Sequence, residues 1–246
     1  MAADILRLEN VSAGYDPELP IIKDINMRIG EGQFVALVGS NGAGKSTLLK
    51  TIFGFLKPIS GKIFYKSFDI TGKGSHQVKR MGIAYIPQDL TPFGNMTVEE
   101  NLKMGSWTRR NDKNLKQRLE SVYQTFPNLG QKRRMKASSL SGGEAKMLDI
   151  ARGMMVKPDL ILVDEPSVGL SPIMAEQIYA TLKKINNQEQ IAILLVDQNV
   201  KRAIEISEYT YYMENGEIKY HGPSDKIINV VDKIIEATLM GDLVRF

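Results

Sequence analysis

The chain has 246 residues, no cysteine, an ordinary globular composition and a formal charge of +4, with acids and bases interleaved. Lack of cysteine excludes disulfides, thiolate metal sites and a cysteine nucleophile; the small positive excess is at best a weak hint of nucleic acid or anionic lipid, and nucleic acid is not expected as a partner. No apolar run reaches the roughly 20 residues that span a bilayer, and the start, Met-Ala-Ala-Asp-Ile, lacks the basic and apolar regions of a secretory leader, so neither feature is expected.

Ile5 to Val11 alternates apolar and polar residues as a half-buried strand does, and Ile22 to Ile29 is a second strand candidate. Tyr15 follows the first of these. A lone tyrosine in a turn usually packs, although its ring is able to stack on an adenine. Gly30-Glu-Gly32 turns the chain into Phe34 to Val38, a continuous apolar run of the kind that forms a buried strand. Gly39, Ser40, Asn41, Gly42, Ala43, Gly44, Lys45, Ser46 and Thr47 come next and fit G-x-x-x-x-G-K-S/T, the phosphate-binding loop of nucleotide triphosphatases. Apolar spacing in Ser46 to Phe53 predicts a helix directly after it. The glycines let successive N–H groups turn toward phosphate, and the helix start adds its positive dipole end. Lys45 is expected to reach the β- and γ-phosphates of ATP, and the Ser46 hydroxyl to ligate Mg²⁺.

Gly61 to Tyr65 and Met81 to Ile86 are predicted strands, with a turn and a short helix between them. The second leads to Gln88 at a carboxyl edge, where ligands bind in open α/β sheets. An amide there is able to ligate Mg²⁺ or orient a water, though most loop glutamines do neither. From Thr97 to about Val156 the pattern is helical. It contains a capping-box match at Thr97–Glu100 and an amphipathic segment, Lys113 to Phe126, that Pro127-Asn128 is expected to end. The basic run Lys132, Arg133, Arg134 and Lys136 is expected to be a solvated face. Ser141, Gly142, Gly143 and Glu144 precede the apolar-periodic Met147 to Met155 and form a second helix start suited to an anion. One ATP does not need two such ends, whereas two ATPs shared between two chains would use both.

Asp159 to Pro166 contains consecutive large aliphatics, as in a parallel strand buried on both faces, and ends in adjacent carboxylates. Asp164 is expected to hold Mg²⁺ and Glu165 to polarise the attacking water. Pro172 to Ile185 is a predicted helix, Gln190 to Val196 a buried strand that ends at Asp197-Gln198-Asn199, and Val200 to Ile206 a helix. Tyr209 to Tyr220 is a hairpin turning at Asn215-Gly216, and one or two helices from Ser224 to Met240 follow.

Together the phosphate loop, Leu140-Ser-Gly-Gly-Glu144 and Val163-Asp-Glu-Pro166, in that order, resemble the ATPase subunit of an ATP-binding cassette transporter from Leu8 to about Asp225. The resemblance implies an α/β fold: a P-loop NTPase (RecA-like) core with an N-terminal antiparallel β subdomain and an inserted α-helical subdomain. The corresponding ranges are 1–88 with 158–222 for the core, 89–157 for the helical insertion that docks to a transmembrane partner, and 223–246 for C-terminal helices. It also implies that Tyr15 stacks on adenine, that Gln88 senses Mg²⁺ and the membrane subunit, and that Ser141, Gly142 and Gly143 contact the ATP held by the other subunit. Two subunits would close head to tail around two ATPs. Asn95 to Leu102, Glu165 to Pro172 and Leu195 to Asn199 are similar to one of the paired ATPases of branched-chain amino acid importers. That similarity implies membrane permeases and a paralogous ATPase or second copy as partners, an extracytoplasmic binding protein acting indirectly, and a place at the cytoplasmic face of the membrane.

Three positions depart from the wider family: Gln198 stands in place of the usual switch histidine, Ser171 in place of aspartate, and Glu144 in place of glutamine. Glutamine is able to bond a phosphate oxygen but takes no charge. The branched-chain group commonly has glutamine there, so Gln198 remains a candidate beside Glu165 and Gln88 for the hydrolytic site. The alternatives are a soluble cassette ATPase of iron–sulfur cluster assembly, a lipopolysaccharide-export ATPase, and an ATP-gated clamp with little turnover. The segment Glu165 to Pro172, Gln198 and an intact Glu165 disfavour them in turn.

Overall fold

The computed structural model of the chain describes residues 3–107 and 114–228. Four strands, β1 (Asp4–Ala13), β2 (Ile22–Gly30), β4 (Ser60–Tyr65) and β5 (Phe68–Asp69), form an antiparallel sheet in the order β2-β1-β4-β5. Six others, β3 (Phe34–Gly39), β6 (Ile83–Ile86), β7 (Leu160–Asp164), β8 (Ala192–Val196), β9 (Tyr209–Glu214) and β10 (Glu217–Pro223), form the second sheet in the order β10-β9-β3-β8-β7-β6. All its pairings are parallel except that of the terminal hairpin β9-β10. The hairpin turns at Asn215 and Gly216, both at positive φ, as the predicted turn requires.

Every residue of β3, β7 and β8 is buried. Alternate side chains point to opposite faces of a strand, so these strands feed two cores. Phe34, Ala36, Val38, Ile161, Val163, Ile193 and Leu195 pack against the helices α3 (Val98–Gly105), α4 (Leu115–Thr125), α6 (Gly142–Met154), α7 (Pro172–Glu189) and α8 (Val200–Ile206). Val35, Leu37, Leu160, Leu162, Leu194 and Val196 pack on the other side, against α1 (Lys45–Phe53), α2 (Ser75–Arg80) and the antiparallel sheet. The architecture is the expected α/β one, with an antiparallel sheet on one face and an inserted run of helices.

Several boundaries differ from the sequence expectation. Helix α4 stops at Thr125, just before Pro127, as expected. Pro127 in addition opens a new helix, α5 (Pro127–Gln131), because at a first helical position its missing N–H leaves no bond unmade. Helix α7 runs on past Ile185 to Glu189, since buried Asn186 donates to the carbonyls of Gly32 and Ile191 at 2.7 and 2.9 Å instead of facing water. Gln190 closes it in a left-handed conformation, so β8 starts at Ala192. Met81 is the cap of α2, and β6 begins only after Gly82. The basic run is not wholly solvated. Its backbone pairs with the start of α3 through Val98 to Met135 and Glu99 to Arg133, each at 3.0 Å, and Lys132 forms an ion pair. Lys113 and residues 229–240 of the predicted terminal helices lie outside the described residues, whereas 224–228 are helical.

Within the helical insertion, Asn101, fully buried on α3, ties the preceding loop to that helix. Its Oδ1 accepts from the Phe93 N–H at 2.7 Å and its Nδ2 donates to the carbonyls of Phe93 and Thr97 at 3.1 and 2.9 Å. Asn101→Ala strands these groups and is expected to cost about 1–3 kcal/mol, read as a lowered midpoint in urea unfolding.

Candidate functional site

Parallel pairing delivers the exits of β3, β6, β7 and β8 to one edge of the sheet. Leu37 lies beside Val196, Val196 beside Asp164, and Val163 beside Ile86. The phosphate-loop motif leaves β3 there. At Gly39 a Cβ would stand 2.0 Å from the Met213 carbonyl oxygen, so only glycine fits between β3 and β9. At Gly42, with φ +80°, nothing lies within 4 Å of where a Cβ would be. The loop there faces open space.

Lys45 folds back across the loop and donates to the carbonyls of Gly39 and Ser40, both at 2.9 Å. Burial holds its pKa below the ordinary lysine value, against the opposing pull of Glu165, Asp164 and Asp197. Helix α1 starts at Gly44 with no capping side chain and no acid in its first turn. Its leading N–H groups therefore lack a carboxylate competitor, which is what an anion site at a helix start requires. Tyr15 is exposed beside α1. Its hydroxyl accepts from Lys50 at 3.1 Å and its ring stands 5.8 Å from that ammonium, leaving ring surface available at the loop's flank.

The Ser46 hydroxyl donates to Asp164 Oδ1 at 2.9 Å, and the Tyr85 hydroxyl donates to Oδ2 at 3.0 Å. Burial raises the Asp164 pKa, and these two hydrogen bonds oppose the rise. A carboxylate and a hydroxyl side by side, with nearby backbone oxygens, are the hard oxygen donors that suit Mg²⁺. Glu165 is buried with φ +42°, a left-handed conformation uncommon for a side-chain-bearing residue. Its N–H donates to the Val196 carbonyl at 2.8 Å, and its carboxylate accepts from the Gln198 amide.

Gln88 is exposed, with its carbonyl tied inward. Lys146 of α6 donates to the carbonyls of Pro87 and Gln88 at 2.9 and 2.8 Å. One turn further, Asp149 accepts from the Thr91 N–H and hydroxyl at 3.1 and 2.6 Å, and Arg152 donates to the Thr91 carbonyl at 2.9 Å. Lys146, Asp149, Arg152 and Tyr85 were not singled out from the sequence. The three on α6 repeat every third residue on one helix face, which was the available signal.

Ser141, Gly142, Gly143 and Glu144 stand apart from this cluster, and no described hydrogen bond joins them to residues 39–47. Ser141 caps α6 by accepting from the Glu144 N–H at 3.3 Å, and Glu144 returns the bond from the Ser141 N–H at 3.1 Å. Lys132 donates to Glu144 at 2.6 Å and, first among the causes, holds its pKa below the usual glutamate value. Gly142 and Gly143 occupy the first helical positions, where a helix supplies no acceptor for N–H. Gly143 packs so closely on Met174 of α7 that a Cβ would approach it to 2.1 Å.

The ABC transporter family matches residues 22–168, more than half of the chain. The chain belongs to the ABC transporter family. It is 39% identical over 224 residues to a probable branched-chain amino acid transport ATP-binding protein of Archaeoglobus fulgidus, covering 91% of this chain and 94% of that one. A high-affinity branched-chain amino acid transport ATP-binding protein of Pseudomonas aeruginosa is 37% identical over 217 residues, covering 88% and 92%. Relatives at 29–30% identity include ones named for lipopolysaccharide export. Among solved structures, the ADP conformation of an ATP-binding cassette of an ABC transporter superposes with a TM-score of 0.85 at 28% identity, covering 97% of this chain and 99% of that one. The chain is thus an ABC ATPase that binds and hydrolyses ATP.

The contacts of Lys146 predict a local effect. Lys146→Met should release the 87–91 loop and speed hydrogen exchange at the Thr91 amide, on the order of tenfold, by favouring local opening. Unchanged protection would show that the lysine does not hold this loop.

Proposed function

We propose that this ABC ATPase powers an importer of branched-chain or related amino acids, working as one half of a head-to-tail pair around two ATPs. The observation that carries the pairing is the separation of the two anion-suited helix starts. The α1 start faces the cluster of Lys45, Ser46, Asp164 and Glu165, whereas the α6 start has no described bond to it. A second cassette, either a copy or a paralogue, would complete each site. The cargo assignment rests on the two relatives above, with 37–39% identity over most of their length.

In this reading the N–H groups of residues 39–47 and the Lys45 ammonium bind the phosphates, and Tyr15 stacks on the adenine. Ser46 and Asp164, hydrogen-bonded to each other, would hold Mg²⁺, with Gln88 as a further ligand from the loop after β6. When bound, that ion supplies positive charge to the phosphate oxygens as bond cleavage proceeds. Glu165 accepts a hydrogen bond from the attacking water and orients it in line with the γ-phosphate. Gln198 steadies the Glu165 carboxylate and is able to donate to a γ-phosphate oxygen, without the charge a histidine could carry. Ser141, Gly142 and Gly143 address the partner's ATP. Ser171 caps α7 by accepting from the Met174 N–H at 3.4 Å, so the helix start that follows Glu165 keeps a cap without aspartate.

A groove supports the membrane partner. Phe55, Phe93 and Trp107 are exposed along a cleft of about 740 Å³ between the core and the inserted helices, bordered by Thr91, Asp149 and Arg152. An apolar helix from a permease matches that lining. Among the described residues no helix is long and apolar enough to cross a membrane, so in this reading passage belongs to separate subunits, with this chain on their cytoplasmic face.

Glu165→Gln tests the hydrolytic assignment. It should lower ATP turnover by at least about a hundredfold and accumulate an ATP-dependent dimer on size-exclusion chromatography. Near-normal turnover would remove Glu165 from the mechanism. Purification from detergent-solubilised native membranes tests the transport assignment: two permeases and a second cassette ATPase are expected, whereas soluble sulfur-assembly proteins with no permease would overturn it.

A further inference from the structure

The loops that follow β7 and β8 are joined by a buried polar group with no role in the assignments above. Asp197, directly after β8, is completely buried. Its Oδ1 accepts from the Asn199 N–H at 2.9 Å and its Oδ2 from the Tyr179 hydroxyl at 2.9 Å. Tyr179 is a buried residue of α7, and its oxygen also lies 2.9 Å from Ser167 Oγ, which stands 3.4 Å from both Asp197 oxygens. The phenol has one proton to give. It serves the carboxylate, and the Ser167 hydroxyl supplies the remaining proton of the triangle.

The position of this triangle in the chain matters. Ser167 comes two residues after Glu165, and Asp197 immediately precedes Gln198. Each partner of the Glu165–Gln198 hydrogen bond therefore sits on a loop fixed by the same buried group. Both loops need such support. Glu165 holds a left-handed backbone that persists only where its surroundings over-determine it. Gln198 is exposed and presents its amide on a long, freely rotating side chain, so only a fixed backbone keeps that amide aimed. The structure ties Glu165 to the end of β8 through its N–H on Val196, and ties the residues beyond it through Ser167 and Tyr179.

We propose that Asp197 is a positioning residue for hydrolysis: with Tyr179 and Ser167 it braces the two loops so that Gln198 meets Glu165. This rests on the assignment of Glu165 and Gln198 to the hydrolytic step. Asp197 acts on the rate of cleavage and leaves phosphate contact to the loop, because none of its hydrogen-bond partners lies within residues 39–47. Its charge does reach Lys45, and Tyr179→Phe tests the brace with that charge kept.

The experiment is single-turnover ATP hydrolysis by the full chain, with ATP affinity measured by fluorescent-analogue titration and melting temperature followed in parallel. Asp197→Asn should slow cleavage by about tenfold or more while ATP affinity stays within about threefold. Tyr179→Phe, which keeps the ring and removes only the hydroxyl, should fall between this variant and the parent, and it carries the test if Asp197→Asn fails to fold. In a Gln198→Ala background, adding Asp197→Asn or Tyr179→Phe should cost less than about twofold further, because the brace would have nothing left to aim. Equal losses in both backgrounds would show a merely structural role and overturn the proposal. So would unchanged cleavage in the folded Asp197 and Tyr179 variants, or parent-like cleavage by Gln198→Ala. Glu165→Gln separates the two levels: if it cleaves normally, the hydrolytic assignment itself fails, whereas an inactive Glu165→Gln beside a fully active Asp197→Asn removes only the brace.

Discussion

Burial of β3, β7 and β8 on both faces is the constraint from which the rest of the molecule follows. Strands so uniformly aliphatic have no side to turn toward water, and a parallel sheet covered on both faces is the arrangement that accepts them. Parallel pairing in turn forces every strand exit to one edge. Residues far apart in the chain, Lys45, Asp164, Glu165 and Gln198, thereby come together at that edge, whereas Gln88, just beyond the exit of β6, is exposed and has no described side-chain bond to them. The antiparallel sheet with α1 and α2 covers one face, and the inserted helices together with α7 and α8 cover the other.

Hydrophobic burial places the site, and electrostatics sets its condition. Asp164, Glu165 and Asp197 are three buried carboxylates near the buried ammonium of Lys45, and the buried Lys146 also acts on Asp164. Burial raises the pKa of both aspartates and lowers that of Lys45. The carboxylates are held by donors from elsewhere: Ser46 and Tyr85 on Asp164, Gln198 on Glu165, Tyr179 on Asp197. Each is a neutral donor, so the hydrogen bonds offset desolvation without cancelling charge. Three carboxylates leave the cluster with an excess of acid, which favours a cation there and leaves the attraction of phosphate to Lys45 and the loop N–H groups.

The sequence made the phosphate loop, Asp164 and Glu165 legible because their spacing is local and their chemistry is dense. The strands were legible for the same reason: a run such as Ile161 to Val163 has one physical destination. What escaped was long-range. Nothing near Tyr85 indicates that its hydroxyl ends on Asp164, and nothing near Tyr179 indicates Asp197, because a tyrosine's partner is set by packing of distant elements. The missed end of α7 has the same cause. Asn186 lies in a polar stretch suited to a helix stop, yet it is buried to satisfy carbonyls at Gly32 and Ile191, and the helix continues to place it there. Pro127 was half legible: α4 ends just before it as expected, but the same ring also starts α5, since its missing N–H costs nothing at a first helical position.

At the start of α6 a local rule meets the demand that the proposed pairing would place on the same helix end. A capping box satisfies the Ser141 and Glu144 N–H groups, which stabilises the helix, but it also places a carboxylate where an incoming phosphate would be repelled. Lys132, from the basic run upstream, forms its ion pair with that same carboxylate at 2.6 Å. Its charge offsets that of Glu144, and the N–H groups of Gly142 and Gly143 keep an electrostatic preference for anions that an unpaired glutamate would weaken. In the proposed pairing, helix stability and phosphate binding at this end therefore do not compete. The lysine that permits both sits in a stretch whose composition, taken alone, resembles ordinary solvated surface.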